Sequence, residues 1–199
     1  GSGATIAHGL SAAPELFIIK KLESGAWPVG STYMGMNKYM QLNTDAAEAT
    51  DTGPWNNTSP TASVWSVGAD SGTNENTANF IAYLFHSVEG YSKVGSYTGN
   101  YNVDGTFIYT GFKPAFVMVK RIAGDNDWVI TDSARSPYNA IYGRLWADLD
   151  NAEATDSVDS DFVSNGFKLR VANNASNPSS SPMLYIAFAE SPFKYANAR

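Results

Sequence analysis

Cysteine is absent from the 199-residue chain. Disulfides, thiol catalysis, zinc ribbons and iron–sulfur clusters are excluded with it. Charge is scarce as well: Asp, Glu, Lys and Arg make up 16%, against roughly 25% in an average soluble chain. The few charges lean acidic, with a net charge of −6. Residues 1–100 carry 4 basic and 8 acidic side chains, and residues 101–199 carry 9 and 11. Neither half offers a basic face for phosphates, so nucleic acid is not an expected partner. Long apolar runs are missing too. The longest, Phe116-Val117-Met118-Val119, stops at Lys120-Arg121, far short of the ~18 residues of a membrane span, and no membrane insertion is expected.

Catalytic signatures are also lacking. Only two histidines occur, His8 and His86. There is no Gly-x-Ser-x-Gly elbow, HExxH pair, phosphate loop or GxGxxG. The chain is therefore not expected to be an enzyme, and no cofactor is implied. Acidic groups cluster at Asp45, Glu48 and Asp51 and again at Asp148, Asp150, Glu153 and Asp156. A glycosidase needs two such acids facing each other across a cleft. Their recurrence in both halves fits capping and turn formation better. Calcium is the one metal the spacing admits, through Asp156-x-x-Asp159-x-Asp161.

What the chain does have is aromatics, at 13%, and turn formers, with 17 Gly and 9 Pro. It also has an internal echo. Ala47-Glu48-Ala49-Thr50-Asp51 recurs as Ala152-Glu153-Ala154-Thr155-Asp156. Leu16-Phe17-Ile18-Ile19-Lys20-Lys21 answers to Phe116-Val117-Met118-Val119-Lys120-Arg121, Trp27 to Trp128, and Phe80-Ile81-Ala82-Tyr83 to Tyr185-Ile186-Ala187-Phe188. Four anchors in one order predict a tandem duplication. The expected division is a cloning remnant at 1–3, a first β repeat at 3–94, a hinge at 95–104 and a second β repeat at 105–199. The two repeats would be side-by-side domains or one compact body. The parent chain is expected to extend beyond Gly1.

The anchors are short apolar or alternating runs separated by Gly, Asn, Asp, Ser and Pro, which reads as strands and turns. The expected fold is all-β, an antiparallel β-sandwich of jelly-roll type. The AEATD segments would each be a single helical turn capped by Asn43 or Asp150. Leu16, Ile18, Ile81, Tyr83, Phe116, Met118, Ile186 and Phe188 form the expected core.

Aromatics outside the echoed strands are the candidate ligand contacts. Trp55 sits in Gly53-Pro54-Trp55-Asn56-Asn57, and Tyr138, Tyr142, Arg144 and Trp146 lie in one turn-rich segment. A flat ring beside hydrogen-bonding neighbours suits the C–H face of a sugar, so these five residues are the expected carbohydrate site. The rival reading is a helical turn whose i, i+4 spacing buries Tyr138, Tyr142 and Trp146 on one face.

Several strings together resemble a known group. They are Val88-Glu89-Gly90-Tyr91-Ser92-Lys93-Val94-Gly95, Gly111-Phe112-Lys113-Pro114-Ala115-Phe116, and Ala187-Phe188-Ala189-Glu190-Ser191-Pro192 with the residues up to Arg199. They resemble the C-terminal regions of tail-fibre-like virion proteins of tailed bacteriophages, above all marine ones. The resemblance implies a distal domain on the phage tail, outside the cell, often in homo-trimers, that recognises a host-surface glycan or receptor. It carries no catalytic or binding residues over. A glycan depolymerase acting on the same material, or a purely structural trimerisation or decoration domain, are the alternatives.

Overall fold

The computed structural model describes residues 1–192. It is nearly all β, with 39% strand and 2% helix. No helix among these residues is long and apolar enough to cross a membrane. The chain divides into two units, residues 1–86 and 87–199.

In the first unit β1 (Ala4–Ala7) pairs with β6 (Val64–Val67). A five-stranded antiparallel sheet holds β2 (Leu16–Lys21), β3 (Pro28–Ser31), β4 (Lys38–Gln41), β5 (Ala49–Thr50) and β7 (Phe80–Phe85), in the order β5-β4-β3-β2-β7. One helical turn, α1 (Ser71–Asn74), is capped by the Asp70 carboxylate, which accepts from the Gly72 N–H as N-cap residues do. Phe17 and Ile19 from the large sheet meet Trp65 and Val67 from the small one, with Trp55 and Met36 between. That is a two-layer sandwich closed by aromatics, which bury more area per residue than any other type.

The second unit repeats the plan with additions. β8 (Ser92–Thr98), β10 (Pro114–Arg121), β11 (Val129–Asp132), β12 (Arg144–Trp146) and β15 (Pro182–Ala189) make a sheet of order β12-β11-β10-β15-β8. Facing it are β9 (Phe107–Tyr109), β13 (Ser160–Val163) and β14 (Gly166–Leu169), in the order β13-β14-β9. Val117, Val119, Met183, Tyr185 and Ala187 pack on Ile108, Phe162, Phe167 and Leu169 across the two layers.

The pairing registers of the units correspond. Phe17 faces Gly30 and Leu84, and Val117 faces Thr131 and Ala187. Ile6 faces Trp65, and Ile108 faces Phe167. The Trp27 N–H donates to Asn43 Oδ1 at 2.9 Å and the Trp128 N–H to Asp148 Oδ1 at 3.1 Å. Lys20 and Lys120 each turn their ammonium onto carbonyls of the hairpin that follows, Lys21 and Glu23 in one case, Arg121 and Gly124 in the other.

Several expectations need correction. By register Leu84, not Ala82, stands where Ala187 does, two residues away from the match expected from the sequence. The break falls at residues 86/87, and Gly95 to Thr98, expected in a hinge, are hydrogen-bonded to β15. The AEATD segments are edge pairings rather than helical turns: Ala49 bridges to Tyr39, and Ala154 to Arg144. Two residues of backbone pairing satisfy the polar groups that a lone turn would leave open. Of the expected core, Leu16, Ile18, Met118 and Ile186 are buried, and Phe116 and Phe188 are half-buried against each other at 5.9 Å. Ile81 and Tyr83 are exposed at 43% and 44%.

Candidate functional site

The two units differ most in the connection after their third matched strands. Met40 comes eleven residues after its partner Val29, whereas Leu145 comes fifteen after Ile130. The extra length in residues 133–143 builds a cleft of about 200 Å³ beside the β10 end. Lys113, Ser133, Ser136, Tyr138 and Asn139 line it, over a floor of Ile141 and Phe162.

Each wall is fixed from beneath. The Asp132 carboxylate accepts from the Arg135 N–H at 2.8 Å and from Arg135 Nε at 2.7 Å. Burial pushes this carboxyl up, but the Arg135 contacts outweigh it and hold it below its ordinary value. Ser136 Oγ accepts from the N–H groups of Tyr142 and Gly143, at 3.2 and 3.0 Å. Asn139 behaves as a strand partner made of side chain. Its Nδ2 donates to the Phe162 carbonyl at 2.8 Å and its Oδ1 accepts from the Phe162 N–H at 2.9 Å. Ile141 then bridges to Ser160 through its own N–H, at 2.8 Å. The loop is thus clamped at 132, 136, 139 and 141. Tyr138, between two clamps, projects outward and is 84% exposed.

The five expected contacts do not come together. Trp55 is 0% exposed, lies edge-on to Phe17 at 4.7 Å and donates its indole N–H to the Lys38 carbonyl at 3.0 Å. Its Pro-Trp turn looked like a surface loop, yet the first unit needs a large ring to fill the space above Gly30. Arg144 is committed to Asp156, at 2.6 Å. Trp146 is half-buried and packs on the core of the second unit. Tyr138 and Tyr142 alone are exposed. The spacing of four is not helical either, because the segment is an irregular loop that runs into β12. Lys113, Ser133, Ser136 and Asn139 were not singled out from the sequence. The Ser-Pro-Tyr-Asn turn signal marks two of them, but nothing in the sequence connects Lys113 to that loop.

The calcium spacing is not assembled. Asp156 pairs with Arg144, Asp161 accepts from Arg170 Nε at 2.6 Å, and Asp159 is buried and accepts from Ser176 Oγ at 2.8 Å. Among the described residues no group of three or more His, Asp or Glu is placed to hold a metal ion. The two histidines serve loop structure. His8 Nε2 lies 3.1 Å from the Thr61 carbonyl and His86 Nε2 lies 3.3 Å from Ser11 Oγ.

Fold and cleft together define an all-β chain of two sandwich units, the second bearing a clamped loop with an outward tyrosine. Its residues 1–192 match the model of a family described as a domain of unknown function (DUF7483), and the chain belongs to that family. No curated protein and no solved structure matches it.

Proposed function

We propose that this chain is a host-surface-recognition domain of a tail-fibre-like virion protein, displayed outside the cell, and that it binds carbohydrate weakly at the Tyr138 cleft. Its two units would descend from one by tandem duplication, with the second adapted to the ligand. The observation that carries the binding reading is the exposed Tyr138 ring beside Ser133, Ser136, Asn139 and Lys113. A large aromatic held in water by a clamped loop gains nothing from folding. It is in the right state to stack on a sugar face, while the Ser133 and Ser136 hydroxyls beside it meet the sugar's hydroxyls. The Lys113 ammonium is held by Glu190 at 3.0 Å and the Asn139 amide by Phe162. No acid is among the residues lining the cleft, so the pair that a hydrolase would use is not what favours this site. The resemblance to tail-fibre-like proteins supplies the biological setting. Part of its most specific string, residues 193–199, lies outside the described residues.

A glycan array probed with the purified domain is the test. Tyr138→Ala should weaken the strongest signal about fivefold or more, equivalent to roughly 1 kcal/mol, with the thermal midpoint unchanged. Equal binding by the variant would remove the cleft from consideration. Absence of any glycan signal from the parent domain would remove carbohydrate.

A further inference from the structure

In the second unit, β15 lies between β10 and β8, and its residues Met183 to Ala187 are almost fully buried. The corresponding strand of the first unit, β7, has β2 on one side, and no described strand pairs with its other side. Its sequence, Phe80-Ile81-Ala82-Tyr83-Leu84-Phe85, carries no charge, no proline and no glycine. Edge strands of monomers ordinarily carry a lysine, a proline or a bulge that blocks further pairing. This edge has none of them, and Ile81 and Tyr83 on it stand exposed.

The direction of its backbone groups follows from one bond. The Leu22 N–H donates to the Asn79 carbonyl at 2.9 Å. Alternation along an antiparallel pair then turns Ile81 and Tyr83 toward β2 and turns Phe80, Ala82 and Leu84 outward. The second unit follows the same rule, since the Ala189 N–H reaches the Tyr91 carbonyl on the β8 side at 2.8 Å. Met183, Tyr185 and Ala187, the register counterparts of Phe80, Ala82 and Leu84, are thus the residues bonded to β8.

We propose that the outer edge of β7 pairs antiparallel with β7 of a second copy of this chain, joining two five-stranded sheets about a twofold axis at Ala82. The strand is self-complementary in that register. Phe80 faces Leu84 and Ala82 faces Ala82, with the outward N–H and C=O of each residue meeting the C=O and N–H of its opposite number. On the other face Ile81 meets Tyr83, a β-branched residue against an aromatic, among the favourable cross-strand pairs. The small side chain at the axis avoids a clash of like with like. A twofold interface requires this reciprocity, in which residue i meets j and j meets i. No like charges are opposed anywhere along the strand. A different strand could fill the same edge, but the edge itself supplies a complete partner in its own sequence.

Light scattering across a concentration series tests the pairing. The chain is expected to be a dimer. Ala82→Pro removes an N–H that points away from β2, a place where an edge strand tolerates proline. Ile81→Lys installs the missing charge without touching the backbone. Each variant should raise the dimer dissociation constant about tenfold or more while circular dichroism stays that of the parent chain. Amide exchange at Phe80, Ala82 and Leu84 should be slow in the dimer and fast in the variants. A monomer at every concentration, the trimer implied by the tail-fibre resemblance, or a dimer insensitive to Ile81→Lys would each overturn the pairing.

Discussion

The two sandwiches share a pairing scheme but solve their interiors differently. At matched positions the first unit pairs Phe17 with Gly30, while the second pairs Val117 with Thr131. A Cβ on Gly30 would stand 2.0 Å from the Phe17 ring and 2.6 Å from Trp55. The glycine is there because the aromatic occupies its side-chain space. In the second unit the smaller valine leaves room for a threonine, which is buried. The volume is kept and its distribution changes, as close packing demands. The same trade appears at the sheet edge. Tyr185 lies over Gly95, where a Cβ would come within 2.7 Å of the ring, whereas the first unit has Ala82 at the place of Tyr185 and no described strand opposite.

The largest effect should come from emptying the aromatic core of the first unit. Phe17→Ala removes a fully buried ring that touches both Trp55 and Trp65 and should cost about 3–5 kcal/mol. Phe116→Ala, in the matching strand of the second unit, should cost clearly less, about 1–2 kcal/mol, because that ring is half in water and surrenders less apolar area. Denaturant titration of both variants gives the comparison directly. Equal costs would mean that the Phe116 ring is enclosed as fully as the Phe17 ring.

Next in size is the exchange of the matched pair. Gly30→Thr alone should destabilise the chain by about 1–3 kcal/mol through overpacking. Adding Phe17→Val should recover part of that loss, since the double variant reproduces the pair found in the second unit. Residues in contact are where additivity fails, so a double-mutant cycle is the appropriate measurement. Losses that simply add would show that the Trp55 ring, and not Phe17, excludes a side chain at Gly30.

Most of the strand framework was readable from the sequence, because short apolar runs between turn formers have few other solutions. Leu16 to Lys21 and Phe116 to Arg121 proved to be central strands, as their continuous apolar patterns required. The misreadings have specific causes. Ile81 and Tyr83 look like core residues because they stand in an unbroken apolar run, while exposure at an edge depends on whether another strand arrives. Trp55 looks like a loop residue because Pro and Asn surround it, and only the tertiary fit to Gly30 draws the ring inside. The exposure of Tyr138 is legible in the sequence, as an aromatic carried by a turn-rich segment. Its polar surroundings are not, since Lys113 enters from the turn before β10 and Asn139 acts through Phe162, far along the chain.

The smallest effect concerns the strand that only the second unit has. β13 is entered through Asp159, 3% exposed, whose N–H and carbonyl bond to Ile141 and Arg170. Burial raises the Asp159 carboxyl above its ordinary value, against the Ser176 hydroxyl and the Arg144 charge, which lower it. The folded chain therefore holds this proton more tightly than the unfolded one does. The group's contribution to stability is complete below the unfolded value of 3.8 and is lost as pH rises through the folded value. Asp159→Asn keeps the acceptor for Ser176 and never ionises. Its melting temperature should match or fall below that of the parent chain in acid and pull ahead as pH climbs, by about 2 °C or more at neutrality. The acids held by arginine, Asp132 and Asp156, are shifted the other way and add stability as pH rises. They are common to both proteins and cancel in the difference between the two melting curves. Parallel curves from acid to neutral pH would mean that Asp159 ionises without cost, and that the added strand is anchored by its backbone alone.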